Sequence, residues 1–159
     1  MPEIRKATRA DAQAAWDIRK LSVLAQCEGF YPGHLLEAWT SGVPSEKWAE
    51  LVERGFYVAH DDAAVLATGM IATDTGRIDA VFVHPDHMGR GLGKRMMDFL
   101  EGLARAHALP ELSLDATLNA APFYRRCGFA GETLSLYHSP RGFSLECVPM
   151  TKRLTACHA

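Results

Sequence analysis

Val81-Phe-Val-His-Pro-Asp-His-Met-Gly-Arg-Gly-Leu-Gly-Lys94 is the stretch that decides the fold. An apolar β-type run closes at Pro85. Gly89, Gly91 and Gly93 then alternate with Arg90 and Leu92, and a helical pattern opens at once with Lys94, Arg95, Met96, Met97, Asp98, Phe99 and Leu100. Strand, glycine loop and helix in that order make an anion site. Glycines let the backbone approach closely, and the first free N–H groups of the helix point at the ligand with the helix dipole behind them. The expected occupant is a phosphate or pyrophosphate, and with it a phosphorylated cofactor.

On either side the pattern is that of a mixed α/β chain. Glu3 to Ala7 reads as a first strand, and Thr8 with Asp11 as a capping box opening a helix towards Cys27. Gly29 to Gly42 reads as irregular. Pro44-Ser45 opens a short helix that stops at Gly55. Phe56–His60 and Ala64–Ala72 form a hairpin through Asp61-Asp62, and Arg77–Val83 is the strand that feeds the loop. Leu92, Met96, Phe99, Leu100 and Leu103 form a helical core stripe. Leu112, Leu114 and Ala116 alternate as a strand, Asn119–Arg126 is a short helix closed by Gly128, and two strands follow near 133–138 and 143–151.

The chain has 159 residues, 48% hydrophobic and 23% charged, with a net charge of −2. One domain over 1–159 with a sizeable core is expected. Nothing suggests a general nucleic-acid surface, so the only basic patch is local, at Arg90, Lys94 and Arg95. No stretch is long and apolar enough for a membrane span, and the first residues lack a signal core. A cytoplasmic protein is the expectation. Cys27, Cys127, Cys147 and Cys157 are far apart, which fits reduced thiols. His84 and His87 flank a Pro loop rather than share a helix face, so no metal site is expected.

Spacing eliminates two nucleotide loops. A P-loop needs Gly where Met88 stands and a hydroxyl where Arg95 stands, and a dinucleotide fingerprint needs Gly-x-Gly-x-x-Gly. The run instead resembles the acetyl-coenzyme A signature of the GNAT superfamily of N-acyltransferases, Arg/Gln-x-x-Gly-x-Gly/Ala, except that Met88 stands where Arg or Gln is usual. Asn119-Ala-Ala-Pro-Phe-Tyr-Arg-Arg-Cys-Gly-Phe129 is similar to the family's later motif, and Met150–Leu154 resembles the final strand of small bacterial members.

The resemblance implies a GNAT-like fold, a mostly antiparallel, centrally splayed sheet with helices on both faces. It implies transfer of acetyl from acetyl-CoA to a primary amine of a small molecule, peptide or protein. A non-catalytic coenzyme A sensor is the alternative, and a homodimer is compatible with the family. Cofactor contacts are implied at the backbone of Val81, Phe82 and Val83, at Met88, Gly89, Arg90, Gly91, Leu92, Gly93 and Lys94, and at Asn119, Phe123 and Arg126. Tyr124 is implied as the general acid. The base is not written in the motifs. Asp79 is the first candidate, because strand alternation would place it on one face with Arg77, Val81 and Val83; an ion pair with Arg77 or Arg90 is the competing reading. His138 and Glu146 are further candidates, as is a water chain. Tyr31 and Trp39 are candidates for the acceptor pocket or for core packing.

Overall fold

The computed structural model describes residues 2–154, apart from the side chain of Ala80; Cys157 lies outside the described residues. Strands β1 (Glu3–Lys6), β2 (Phe56–His60), β3 (Val65–Ala72), β4 (Arg77–Val83), β5 (Glu111–Thr117), β6 (Ser135–His138) and β7 (Ser144–Arg153) form one sheet. Its order is β1-β2-β3-β4-β5-β7-β6. Every neighbouring pair is antiparallel except β4–β5, and that pair is registered at one point alone, Arg77 against Ser113. By contrast β5 and β7 stay paired from Glu111–Arg153 to Thr117–Cys147. The sheet therefore opens between β4 and β5 beyond Arg77, as the splay expected from the sequence requires.

Helices cover both faces. On one side α4 (Leu92–Ala106) and α5 (Ala121–Arg126) join the main core. Leu92, Met96, Met97, Leu100 and Ala104 are buried there against Ile71, Ile78, Leu112, Leu114 and Ala116. The apolar stripe read at helical spacing is this buried face, and the odd residues of β5 are left facing the other way. Losing one of these large side chains should cost about 2–5 kcal/mol. On the second side α1 (Ala12–Gln26), α2 (Gly33–Thr40) and α3 (Glu46–Gly55) cover the sheet with two smaller clusters.

The local signals act as their chemistry dictates. Asp11 Oδ2 accepts from Thr8 N at 2.8 Å and also pairs with Arg5. Ser45 caps α3 by accepting from Trp48 N at 3.2 Å. Asp61 Oδ1 accepts from Ala63 N and Ala64 N and closes the β2–β3 hairpin.

Two expectations are corrected. Gly29–Gly42 is not irregular, because Gly33–Thr40 is helical. Pro32 leads into it, and Leu36, Trp39 and Thr40 are buried at helical spacing, so tertiary burial overrides the glycines at both ends. The alternation along β4 also breaks. Ile71 pairs with Ile78 and Met70 with Ala80, which leaves Asp79 as the extra residue of a β-bulge. Ile78 therefore packs in the same core as Val81 and Val83, and Asp79 does not share their face.

Candidate active site

The opening between β4 and β5 becomes a cleft of about 500 Å³. Its walls carry Val81, Phe82 and Asp79 of β4, Asp115 and Thr117 of β5, and Asn119 and Tyr124 after it. Arg19 and Cys27 close it from α1 and its end, Trp39 from α2, and Glu146 from β7. The β4 backbone beyond Arg77 has no β5 partner, so its amides and carbonyls on that edge are open to a ligand.

The glycine loop sits at the head of α4. Gly89 and Gly91 both have φ of +78°, and Gly91 is the cap residue of the helix. The first helical bond at this end runs from Arg95 N to Gly91 O, so the amides of Leu92, Gly93 and Lys94 remain free. Gly93 is needed for a different reason. A Cβ there would meet the Phe123 ring at 3.2 Å, so α4 and α5 approach closely at this point. Leu92 anchors the loop by burying its side chain in the main core.

The charged residues of the loop are less uniform than the sequence suggests. Lys94 is exposed and pairs with Asp98 at 2.6 Å, one turn on. Arg90 bonds His87 Nδ1 at 2.7 Å. Arg95 points elsewhere and holds the carbonyl of Pro2 at 2.8 Å. The Met88 sulfur accepts a hydrogen bond from Gln26 Nε2 at 3.0 Å, tying the loop to the end of α1. Arg126 is exposed at the end of α5.

Tyr124 comes to the cleft from α5, with its ring between Phe123 and Phe129. Its residue is 9% exposed, and its hydroxyl has no hydrogen-bond partner among the described residues. Burial, with the nearby Cys127, holds its phenol well above the usual range, so it keeps its proton at neutral pH. Asn119 Oδ1 accepts from the Cys27 thiol at 3.3 Å. Burial pushes that thiol up to about 11 although the bond to Asn119 opposes it.

Asp79 is half exposed and accepts from Arg77 Nε at 3.1 Å, while Arg77 Nη2 reaches Asp115 at 2.6 Å. One guanidinium thus bridges two carboxylates across the mouth of the splay. Burial disfavours the Arg77 charge, but its bonds to Asp115 and Asp79 outweigh that and raise its pKa.

Trp39 lines the cleft and stacks edge-on with Tyr31 at 6.0 Å. Tyr31 itself lies behind the wall. Its hydroxyl donates to Glu146 O at 2.5 Å and accepts from Leu118 N at 3.0 Å, pinning the ends of β5 and β7. His138 bonds Ser144 on the exposed edge of the sheet. Sequence reading missed Asp115, Cys27, Gln26 and Arg19. Of these, Asp115 carried a signal, since it occupies a non-core position of an alternating strand.

A model of the acetyltransferase (GNAT) domain matches residues 53–130. The chain is 28% identical to a GCN5-related N-acetyltransferase from Rhodopseudomonas palustris, with a TM-score of 0.89 over 97% of this chain and 96% of that one. A putative acetyltransferase from Salmonella typhimurium, solved with its cofactor acetyl-CoA, superposes with a TM-score of 0.71 at 20% identity, over 99% of this chain and 96% of that one. An IAA acetyltransferase from Azospirillum brasilense is 33% identical over 104 residues, 61% of this chain; the match spans 63% of that relative's length. Among the described residues no helix is long and apolar enough to cross a membrane.

Proposed function

The chain belongs to the GNAT superfamily of N-acetyltransferases, and from that premise we propose that it transfers the acetyl group of acetyl-CoA directly to a primary amine. The observation that carries this reading is the single-point pairing of β4 with β5, with Tyr124 brought to the gap it leaves. The Gly89–Gly93 loop and the free amides that begin α4 would hold the pyrophosphate. The open edge of β4 at Val81, Phe82 and Val83 would hold the pantetheine arm, with Asn119 and Phe123 beside it.

In the transfer step the amine nitrogen attacks the thioester carbonyl carbon, and a C–N bond forms. The oxyanion is held by a β4 amide. The C–S bond then breaks, the nitrogen gives its proton to Asp79 or water, and the thiolate gains one from Tyr124, which recovers a proton from solvent before the next turnover. A phenol kept protonated by burial suits that role, because a thiolate freed in a dry cleft is a strong base. Asp79 is the base or ammonium-holding group, at the bulge where its carboxylate reaches the cleft rather than the core. Arg77 positions it by binding Asp79 and Asp115 together.

Two measurements test the assignment. Acetyl-CoA should raise the melting temperature, since it binds the folded chain alone. An amine panel with acetyl-CoA should release free thiol above the hydrolysis background. Binding without release across a broad panel would favour the coenzyme A sensor instead.

A further inference from the structure

Arg19 is an odd residue to find in the wall of this cleft. It lies mid-way along α1 and lines the cavity from the side opposite the glycine loop's helix. Nη2 donates to the carbonyl of Trp39 at 2.7 Å. Nη1 is fully buried and has no hydrogen-bond partner. No carboxylate pairs with this guanidinium among the described residues.

Its charged neighbour is another cation. Arg141 Nη1 donates to the same Trp39 carbonyl at 3.2 Å, and the two guanidinium carbons stand 5.1 and 6.0 Å from the Trp16 ring. Burial and then the Arg141 charge lower the Arg19 pKa to about 10, so the group still carries its charge at neutral pH. A buried cation with no counter-ion and an unused donor is costly, and such groups call for a partner. A planar fork with free donors is matched best by the two oxygens of a carboxylate.

The rest of the cavity completes the outline. Asp79, Asp115 and Glu146 line the same space, and Arg77 is the cation that answers the first two. The same lining carries the apolar side chains of Trp39, Phe82 and Leu145. A ligand that fits carries an amine, a carboxylate and a modest apolar body. We propose that the acceptor is a small amine bearing a free carboxylate, an α-amino acid or close analogue, and that Arg19 binds that carboxylate. The inference rests on the acetyl-transfer reading and names its acceptor class.

Matched acceptors test it in the unaltered protein. Leucine and phenylalanine are compared with leucinamide and phenylalaninamide, and with the decarboxylated amines, all with acetyl-CoA. The acids should exceed the amides in kcat/KM by about tenfold or more, mostly through KM, as a charged hydrogen bond would give. In Arg19→Gln the acid-to-amide ratio should fall to within about threefold. Amides and simple amines used as well as the acids would overturn the inference and leave acetyl transfer intact. A binding arm separates the two readings. N-acetyl-leucine should raise the melting temperature of the coenzyme A complex where its amide does not. That result without any turnover would uphold the carboxylate site and defeat the transfer reading; equal effects of acid and amide would overturn the carboxylate site.

Discussion

The two walls of the cleft are built on opposite plans. The wall proposed for the cofactor comes from two short runs, Val81–Lys94 and Asn119–Phe129, and relies on backbone: an open strand edge, free helix amides and glycines at φ +78°. The wall proposed for the acceptor is made of side chains gathered from α1, α2, the β4 bulge, β5 and β7, from Arg19 to Glu146. Backbone recognition needs a conformation, and a conformation leaves a local trace in the sequence. Side-chain recognition needs convergence, and convergence is a property of the whole fold. A cleft built this way can keep one cofactor while its acceptor changes by single substitutions.

Tyr124 stands where the walls meet, and its loss should have the largest effect. Tyr124→Phe should lower kcat by about 10²–10⁴ with acetyl-CoA affinity kept, because proton donation is lost and the ring packing stays. Stopped assays at saturating acetyl-CoA, with binding by calorimetry, check this. Full turnover with normal binding would remove the acid role.

Next comes the acceptor wall. Asp79→Asn should reduce kcat/KM for the amine by about 10² and leave the acetyl-CoA affinity unchanged. An unchanged kcat/KM for the amine would return Asp79 to a purely ionic role with Arg77. The cofactor wall is probed by Gly91→Ala. A side chain at φ +78° costs about 1–2 kcal/mol, so coenzyme A binding should weaken about five- to thirtyfold while the amine KM holds. If instead both walls lose affinity together, the division drawn between them is too sharp.

The same contrast explains what was legible. The capping box at Thr8–Asp11, the Ser45 cap, the glycine loop and the Tyr124 helix are set by neighbours in sequence, and each forms where its residues indicate. Trp39 was one of two candidates and does line the cleft, while Tyr31 braces it from behind. The β4 bulge was not legible, because Arg77–Val83 alternates well enough to pass for a regular strand. The extra residue appears only in the register with β3. The Arg77–Asp115 pair was hidden too, since it needs the parallel contact of β4 with β5 across the α4 crossover. The unpaired Arg19 could not be read at all: it is a mid-helix arginine whose meaning lies in what does not surround it.

Cys27 gives the smallest and most discriminating test, because its thiol joins the walls through Asn119. Its pKa is pushed up to about 11 by burial, from 9.0 for the free thiol, against the opposing bond to Asn119. A group whose folded pKa is raised stabilises the fold fully below its unfolded value. That contribution fades as pH climbs from about 9 to about 11, because the unfolded chain releases the proton first. At pH 10 the loss should be about 1 kcal/mol. Tyr31, raised by burial to about 12, titrates later and adds its own loss above pH 10. Urea melts at pH 8, 9.5 and 10.5 should therefore show falling stability, and Cys27→Ser should be less pH-dependent between 9 and 11 than the parent chain. An identical slope would mean that the thiol is not held in a dry junction, and that the seam between the two walls admits water.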